Sequence, residues 1–122
     1  MTSKERYVGI DVSKKHLDIA IRPGNEHWVV DNDEDGIGDL VSRLKSVGPR
    51  LVVLEATGGL ELSVTASLGA AGLPAAVVNP RQVRDFARAT GQLAKTDRLD
   101  ADVLARFGEA IKPTPRPLRD AE

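Results

Sequence analysis

The sequence contains no cysteine, which excludes a disulfide framework and a metal site built on thiolates. Aromatic residues make up only 3% of the chain, so aromatic surfaces on which nucleic-acid bases stack are scarce. No apolar run is long enough for a transmembrane helix, and the first ten residues, MTSKERYVGI, lack the apolar segment of a signal peptide. These absences predict an intracellular, cytoplasmic protein without membrane partners.

The chain also lacks a strong net charge. At −1, it has no overall electrostatic attraction for nucleic acid, so any such binding must be local. A length of 122 residues and a hydrophobic content of 41% predict one domain with a real core. We expect residues 1–112 to form this domain. Residues 113–122 contain Pro113, Pro115 and Pro117, and this composition predicts a proline-rich linker or a truncated edge.

Strand and helix patterns alternate along the chain. Short apolar or alternating runs predict strands at residues 7–11, 17–22, 27–31, 51–55 and 74–78. Helical spacing and capping residues predict helices at 37–47, 58–71 and 80–90, and a last helix from residue 97 onward. The order β-β-β-α-β-α-β-α-α is that of the ribonuclease H-like fold. We therefore expect an α/β protein with a mixed five-stranded sheet flanked by helices.

Two acidic residues stand at the ends of predicted strands. Asp11 ends the first run and shares a face with Tyr7 and Gly9 by two-residue alternation, and Glu55 ends the buried run LVVLE. If these two strands are parallel neighbours, both carboxylates emerge side by side at the carboxyl ends of the strands. Open sheets covered by helices bind their ligands at this edge.

Two more acids share one face of the last helix. Asp97 and Asp100 are three residues apart, and Asp100 falls in the middle of the apolar stripe. That stripe consists of Leu99, Val103, Leu104, Phe107 and Ile111. We therefore expect the helix to turn this face toward the sheet, so that four acids from three segments converge.

Buried, unpaired carboxylates cost several kcal/mol or more, which a divalent cation offsets. Hard oxygen ligands suit Mg²⁺ or Mn²⁺. Two such ions about 4 Å apart would hold the attacking and leaving oxygens of a phosphodiester.

Each acid also has a simpler interpretation. An acid at a strand end is commonly a solvated turn residue. Asp97 is suited to cap the last helix, with Asp100 near the positive end of the helix dipole. That account explains the spacing, but it does not explain why Asp100 lies on the apolar face.

Three blocks of the sequence, YVGIDVSKKHLDIAI, VVLEATGG and NPRQVRDFARATGQLAKTDRLDADVLA, resemble a known family. They are similar to the amino-terminal half of DEDD-type insertion-sequence transposases, the bridge-RNA-guided DNA recombinases of insertion-sequence family one-hundred-and-ten. The resemblance extends over residues 7–107. It implies a ribonuclease H-like domain, like that of Holliday-junction resolvases, that binds Mg²⁺. The family's four catalytic, metal-binding acids fall on Asp11, Glu55, Asp97 and Asp100.

The resemblance also implies partners. Members of the family act on DNA with a guide RNA, inside bacteria and at the nucleoid when active. They carry a second, carboxyl-terminal domain with a serine nucleophile, and the serines of this chain match nothing in that domain. We therefore expect Mg²⁺-dependent cleavage and strand transfer, with homo-oligomeric assembly in the full-length form. We expect this chain alone to lack complete recombination activity.

Basic residues mark a candidate nucleic-acid surface. Arg81, Arg84 and Arg88 form one helix edge by their spacing. Four further basic residues, Lys14, Lys15, Lys95 and Arg98, lie close in sequence to the candidate acids. The functional interpretation is contact with phosphates of DNA or guide RNA. The simpler one is a solvated helix face and an ordinary surface turn.

Two other function classes remain open. The first is half of an actin-like or sugar-kinase-like phosphotransferase, in which the Gly9-Ile10-Asp11 turn would hold ATP phosphate. That class needs a glycine-rich adenosine site in another domain. The second is a non-catalytic RNA-binding or dimerisation module, against which the presence of all four acids argues.

Overall fold

The computed structural model describes residues 5–91 and 97–115, without the side chains of residues 97–99. Nine elements lie within these residues, in the predicted order. The strands are β1 (Tyr7–Val12), β2 (His16–Arg22), β3 (Glu26–Asp31), β4 (Leu51–Glu55) and β5 (Ala75–Val78). The helices are α1 (Glu34–Val47), α2 (Leu62–Ala70), α3 (Pro80–Ala89) and α4 (Asp97–Ile111). Among the described residues, no helix is long and apolar enough to cross a bilayer.

The five strands form one mixed sheet in the order β3-β2-β1-β4-β5. β2 is antiparallel to both β1 and β3, whereas β4 is parallel to both β1 and β5. Four strands, all except β2, therefore end at the same side of the sheet, which we call the carboxyl edge. The predicted mixed five-stranded sheet is confirmed. The condition on which Asp11 and Glu55 would emerge side by side, that the first and fourth strands are parallel neighbours, is met.

One face of the sheet packs on α1 and α2. β1 contributes Val8 and Ile10 to this core, and the helices contribute Leu40, Leu44 and Leu68, all of them fully buried. α1 begins at the residue after Asp33, whose carboxylate accepts a hydrogen bond from the Gly36 N–H at 2.8 Å. α2 begins at Leu62, four residues later than predicted, because the chain first turns through Gly58 and Gly59 at positive φ.

The opposite face packs on α3 and α4. Phe86 of α3 meets Phe107 of α4 edge-on, with ring centroids 5.5 Å apart. Beneath them lie Tyr7, Leu51 and Val53, the alternate residues of β1 and β4. The described residues therefore form a three-layer sandwich in which two of the described helices cover each face of the sheet.

α4 lies directly on the backbone of β1. A Cβ atom at Gly9 would stand 2.2 Å from the Ala101 carbonyl oxygen and 2.4 Å from the Ala105 nitrogen, so only glycine fits. Gly108, further along the helix, faces Tyr7 and Leu51, the first residues of their strands. α4 therefore runs antiparallel to β1, and its first turn lies at the carboxyl edge.

This direction corrects one sequence expectation. Ile111 was expected to continue the buried stripe of the last helix, but it is 54% exposed. Gly108 already faces the first residues of β1 and β4. Ile111 lies about 4.5 Å further along the helix axis, beyond the end of the sheet.

Candidate functional site

Asp11 and Glu55 lie on neighbouring strands at the carboxyl edge. The parallel register pairs Ile10 with Leu54, and each acid is the next residue of its strand. Asp11 shares the α4 face with Gly9, and Glu55 shares it with Val53, because side chains alternate along a strand. Both acids are half-buried. Since neighbouring strands are about 4.8 Å apart, the two carboxylates start from adjacent positions.

The first turn of α4 brings Asp100 to the same edge. Ala101 faces Gly9, and Asp11 lies two residues, or about 6.6 Å, further along β1 in the direction of that turn. Asp100 is half-buried and shares its helix face with Leu104 and Phe107, which are buried against the sheet. The position of Asp100 on an apolar face thus follows from packing against the sheet.

Asp97 begins α4 in the same turn, but its side chain lies outside the described part of the protein. Among the described side chains, no group of three or more acids or histidines is arranged to hold a metal ion. Asp97 is not among those side chains. Three acids from three separate segments, Asp11, Glu55 and Asp100, thus lie at the carboxyl edge on the α4 face of the sheet. The backbone of the fourth candidate, Asp97, lies in the first turn of α4, as does that of Asp100.

The same chain segments match a known family. Residues 8–122 match the sequence model of the IS110-type DEDD family, which is described as transposase. The chain belongs to this transposase family. It is also 26% identical over 113 residues to the pilin gene-inverting protein of Moraxella lacunata. The match covers 88% of this chain and 35% of that relative, so the transposase domain spans about a third of the relative's length.

A solved structure has the same fold. The RuvC protein of T. thermophilus, determined in complex with a Holliday junction substrate, superposes with a TM-score of 0.61. The match covers 94% of the transposase domain and 100% of the RuvC chain, at 20% sequence identity. The ribonuclease H-like fold expected from the sequence is therefore confirmed.

Asp18 is a further acid of this region that the sequence analysis missed. It lies directly opposite Asp11 in the antiparallel register and is only 7% exposed. His27 Nε2 is 3.3 Å from Asp18 Oδ1. Leu17, Ile19 and Ile21 alternate along β2 and form one buried face, whereas Asp18 is on the other face. That face is buried as well, because α4 packs on Ala20.

Glu61 is a second missed acid, six residues after Glu55. It is 8% exposed, and its Oε1 accepts hydrogen bonds from the backbone and hydroxyl of Thr57 and from the Gly59 N–H. Burial alone would raise the pKa of Glu61, but these hydrogen bonds outweigh it and hold the pKa below its ordinary value. The signal in the sequence was an acid two residues after the Gly58-Gly59 pair, but its burial is visible only in the structure.

The basic candidates lie at different distances from the edge. Lys14 and Lys15 are exposed in the turn that joins β1 to β2, beside Asp11. Arg81 and Arg84 are exposed in the first turns of α3, which starts at the carboxyl edge after β5. Arg88 lies about 10 Å beyond Arg81 along the axis of α3 and forms an ion pair with Asp85 at 3.7 Å. The remaining two candidates, Lys95 and the side chain of Arg98, lie outside the described residues.

Proposed function

We propose that this chain is the metal-dependent catalytic domain of a DNA transposase, which cleaves and joins phosphodiester bonds. One observation carries the proposal: Asp11, Glu55 and Asp100 come from three distant segments and reach one edge and one face of the sheet. Asp97 lies in the same helical turn as Asp100. We assign all four as catalytic and metal-binding residues.

The donor set fits Mg²⁺ or Mn²⁺. All four side chains offer carboxylate oxygens, the ligands that these hard cations prefer. Carboxylates on adjacent strands repel each other, and a divalent cation converts that repulsion into attraction. When bound, such ions stabilise the charge on the attacking and leaving oxygens of a phosphodiester. The role of the protein is to hold the carboxylates on rigid elements, two at strand ends and two in the first turn of a packed helix.

Metal binding is tested by thermal melting of this chain. At a Mn²⁺ concentration about 100 times the dissociation constant, binding adds about 2.7 kcal/mol to the free energy of unfolding. We expect the melting temperature to rise by roughly 10 °C. Asp11→Asn and Glu55→Gln should each abolish the rise. Asp39→Asn, which changes an exposed acid of α1, should retain it.

The alternative functions give different melting results. Stabilisation by ATP instead of metal would contradict the proposal and favour a phosphotransferase. No response to either would favour a non-catalytic RNA-binding or dimerisation module. A rise with Mn²⁺ that survives both Asp11→Asn and Glu55→Gln would place the metal elsewhere in the protein.

We propose DNA as the substrate, with a guide RNA as a further partner. Lys14 and Lys15 lie beside Asp11, and Arg81 and Arg84 extend the basic surface along the start of α3. This local charge compensates for the net charge of −1, which gives no general attraction for a polyanion. Because the structure of RuvC contains a Holliday junction substrate, we choose a four-way DNA junction to test DNA binding by this chain. From their positions in the sequence, we also propose Arg88, Lys95 and Arg98 as phosphate contacts.

The double variant Arg81→Ala, Arg84→Ala tests this surface. If each arginine contacts one phosphate, the slope of log K against log salt should fall by about 1.8. Fluorescence anisotropy with a labelled four-way DNA junction measures the slope. The matched control, Lys45→Ala with Arg50→Ala, removes two charges at the opposite end of the sheet and should leave the slope unchanged. Equal weakening by both double variants would contradict the assignment.

We further propose that complete recombination needs protein beyond this domain. The chain covers 35% of the pilin gene-inverting protein that it matches. The family resemblance supplies the candidate for the remainder, a carboxyl-terminal domain with a serine nucleophile, and implies that the full-length transposase assembles as a homo-oligomer. In this arrangement the four metal-binding acids and that serine take part in the same cleavage and joining of phosphodiester bonds.

A further inference from the structure

The segment that joins β4 to α2 directly follows Glu55. We call residues 56–61 the β4–α2 loop. Its first residue, Ala56, donates a backbone hydrogen bond to the Val78 carbonyl at 3.1 Å, which extends the pairing with β5 by one residue beyond Glu55. The chain then turns through Gly58 and Gly59, whose φ values are 74° and 115°. Two glycines in succession give this loop wide conformational freedom unless something holds it.

Glu61 is what holds it. One carboxylate oxygen, Oε1, accepts a hydrogen bond from the Thr57 N–H at 3.0 Å, one from Thr57 Oγ1 at 2.8 Å and one from the Gly59 N–H at 3.2 Å. Hydrogen bonds to an ionised acceptor are about twice as strong as neutral ones. The side chain is buried, so water competes little for these donors. The loop is therefore closed onto a single charged oxygen.

The direction of this side chain excludes a simple helix-capping role. Glu61 occupies the N-cap position of α2, where a capping side chain would accept from the amides of the following turn. Its side chain makes no such bond. It points back and binds the residues that precede it, two to four positions earlier. The carboxylate therefore orders the loop after Glu55, and the start of α2 does not use it.

We propose that Glu61 is a positioning residue for Glu55, an inference that rests on the proposed metal function. Glu55 is the last residue of β4, so its orientation depends on the backbone on both sides. The sheet fixes one side, and the loop clamped by Glu61 fixes the other. With the clamp released, the end of β4 frays and the Glu55 carboxylate samples other directions. Metal binding must then order it, which lowers affinity.

Three variants of this chain test the inference. Glu61→Ala removes the acceptor, and we expect it to weaken Mn²⁺ binding about tenfold in titration calorimetry. Glu61→Gln keeps an oxygen at the same position and should stay within about threefold of the wild type. Asp33→Ala removes the carboxylate that caps α1 by accepting from the Gly36 N–H. α1 packs on the same face of the sheet as α2, opposite the face on which Asp11 and Glu55 lie. Asp33→Ala should lower the melting temperature and leave the Mn²⁺ affinity unchanged.

A second measurement separates this inference from the proposed function. NMR relaxation of the Glu55 and Ala56 amides in the metal-free protein should show increased motion in Glu61→Ala, but not in Asp33→Ala. If the wild type binds no Mn²⁺ and this motion still appears, the proposed function fails and the positioning role stands. If Glu61→Ala leaves the Glu55 amide as rigid as in the wild type, or binds Mn²⁺ with wild-type affinity, the inference is wrong.

Discussion

Gly9→Ala should destabilise the protein by at least about 3 kcal/mol, which is the upper part of the range for overpacked cores. The added Cβ would stand 2.2 Å from the Ala101 carbonyl oxygen and 2.4 Å from the Ala105 nitrogen. Both are backbone atoms, so no side-chain rotation relieves the clash and α4 must move away from β1. Urea denaturation measures the loss. Mn²⁺ binding should weaken with it, because Asp100 moves with α4.

Gly38→Ala is the matched control for this change. Gly38 is an exposed residue within α1, and a Cβ there meets nothing within 4 Å. Alanine in a helix interior is favoured over glycine by roughly 0.5–1 kcal/mol, so this variant should be slightly more stable than the wild type. Wild-type stability of Gly9→Ala would contradict the close seating of α4 on β1.

On the proposed function, Asp100→Asn should reduce Mg²⁺-dependent strand exchange by the full-length transposase about a thousandfold or more, because the variant removes one of the four proposed metal-binding carboxylates. Asparagine has nearly the same shape, so α4 should still pack through Leu104 and Phe107. What is lost is the negative charge at the end of the sheet. Exchange between a donor and a target DNA measures the effect, and chelation of the metal should abolish the activity of the wild type.

Asp102→Asn is the control on the same helix. Asp102 is two residues further on, on another face, where it pairs with Arg22 at 3.4 Å and with Arg106 at 4.0 Å. Partly exposed ion pairs of this kind contribute about 1 kcal/mol or less, so exchange should stay within about threefold of the wild type. Undiminished exchange by Asp100→Asn would remove Asp100 from the site. Complete exchange by the 122-residue chain alone would remove the need for a second domain.

Much of the architecture could be predicted from local patterns. All five strands and four helices were expected in the observed order, because alternation and helical spacing reflect which side of each element is buried. Asp11 and Glu55 could be paired because parallel neighbours end at one edge. Asp100 could be added because an acid within an apolar stripe must face the sheet. These inferences need only the periods of strand and helix.

Contacts between segments that are distant in the sequence became visible only in the tertiary structure. The sequence by itself determined the elements, their order, and the three acids that reach the carboxyl edge. Only the packing of α4 on the sheet shows that both faces of β2 are covered, which buries Asp18. The same packing shows that α4 extends beyond the end of the sheet, which exposes Ile111. Only the path of the β4–α2 loop returns Glu61 to Thr57. Periodicity identifies the apolar side of one element, but which neighbour covers the other side depends on packing between elements far apart in the chain.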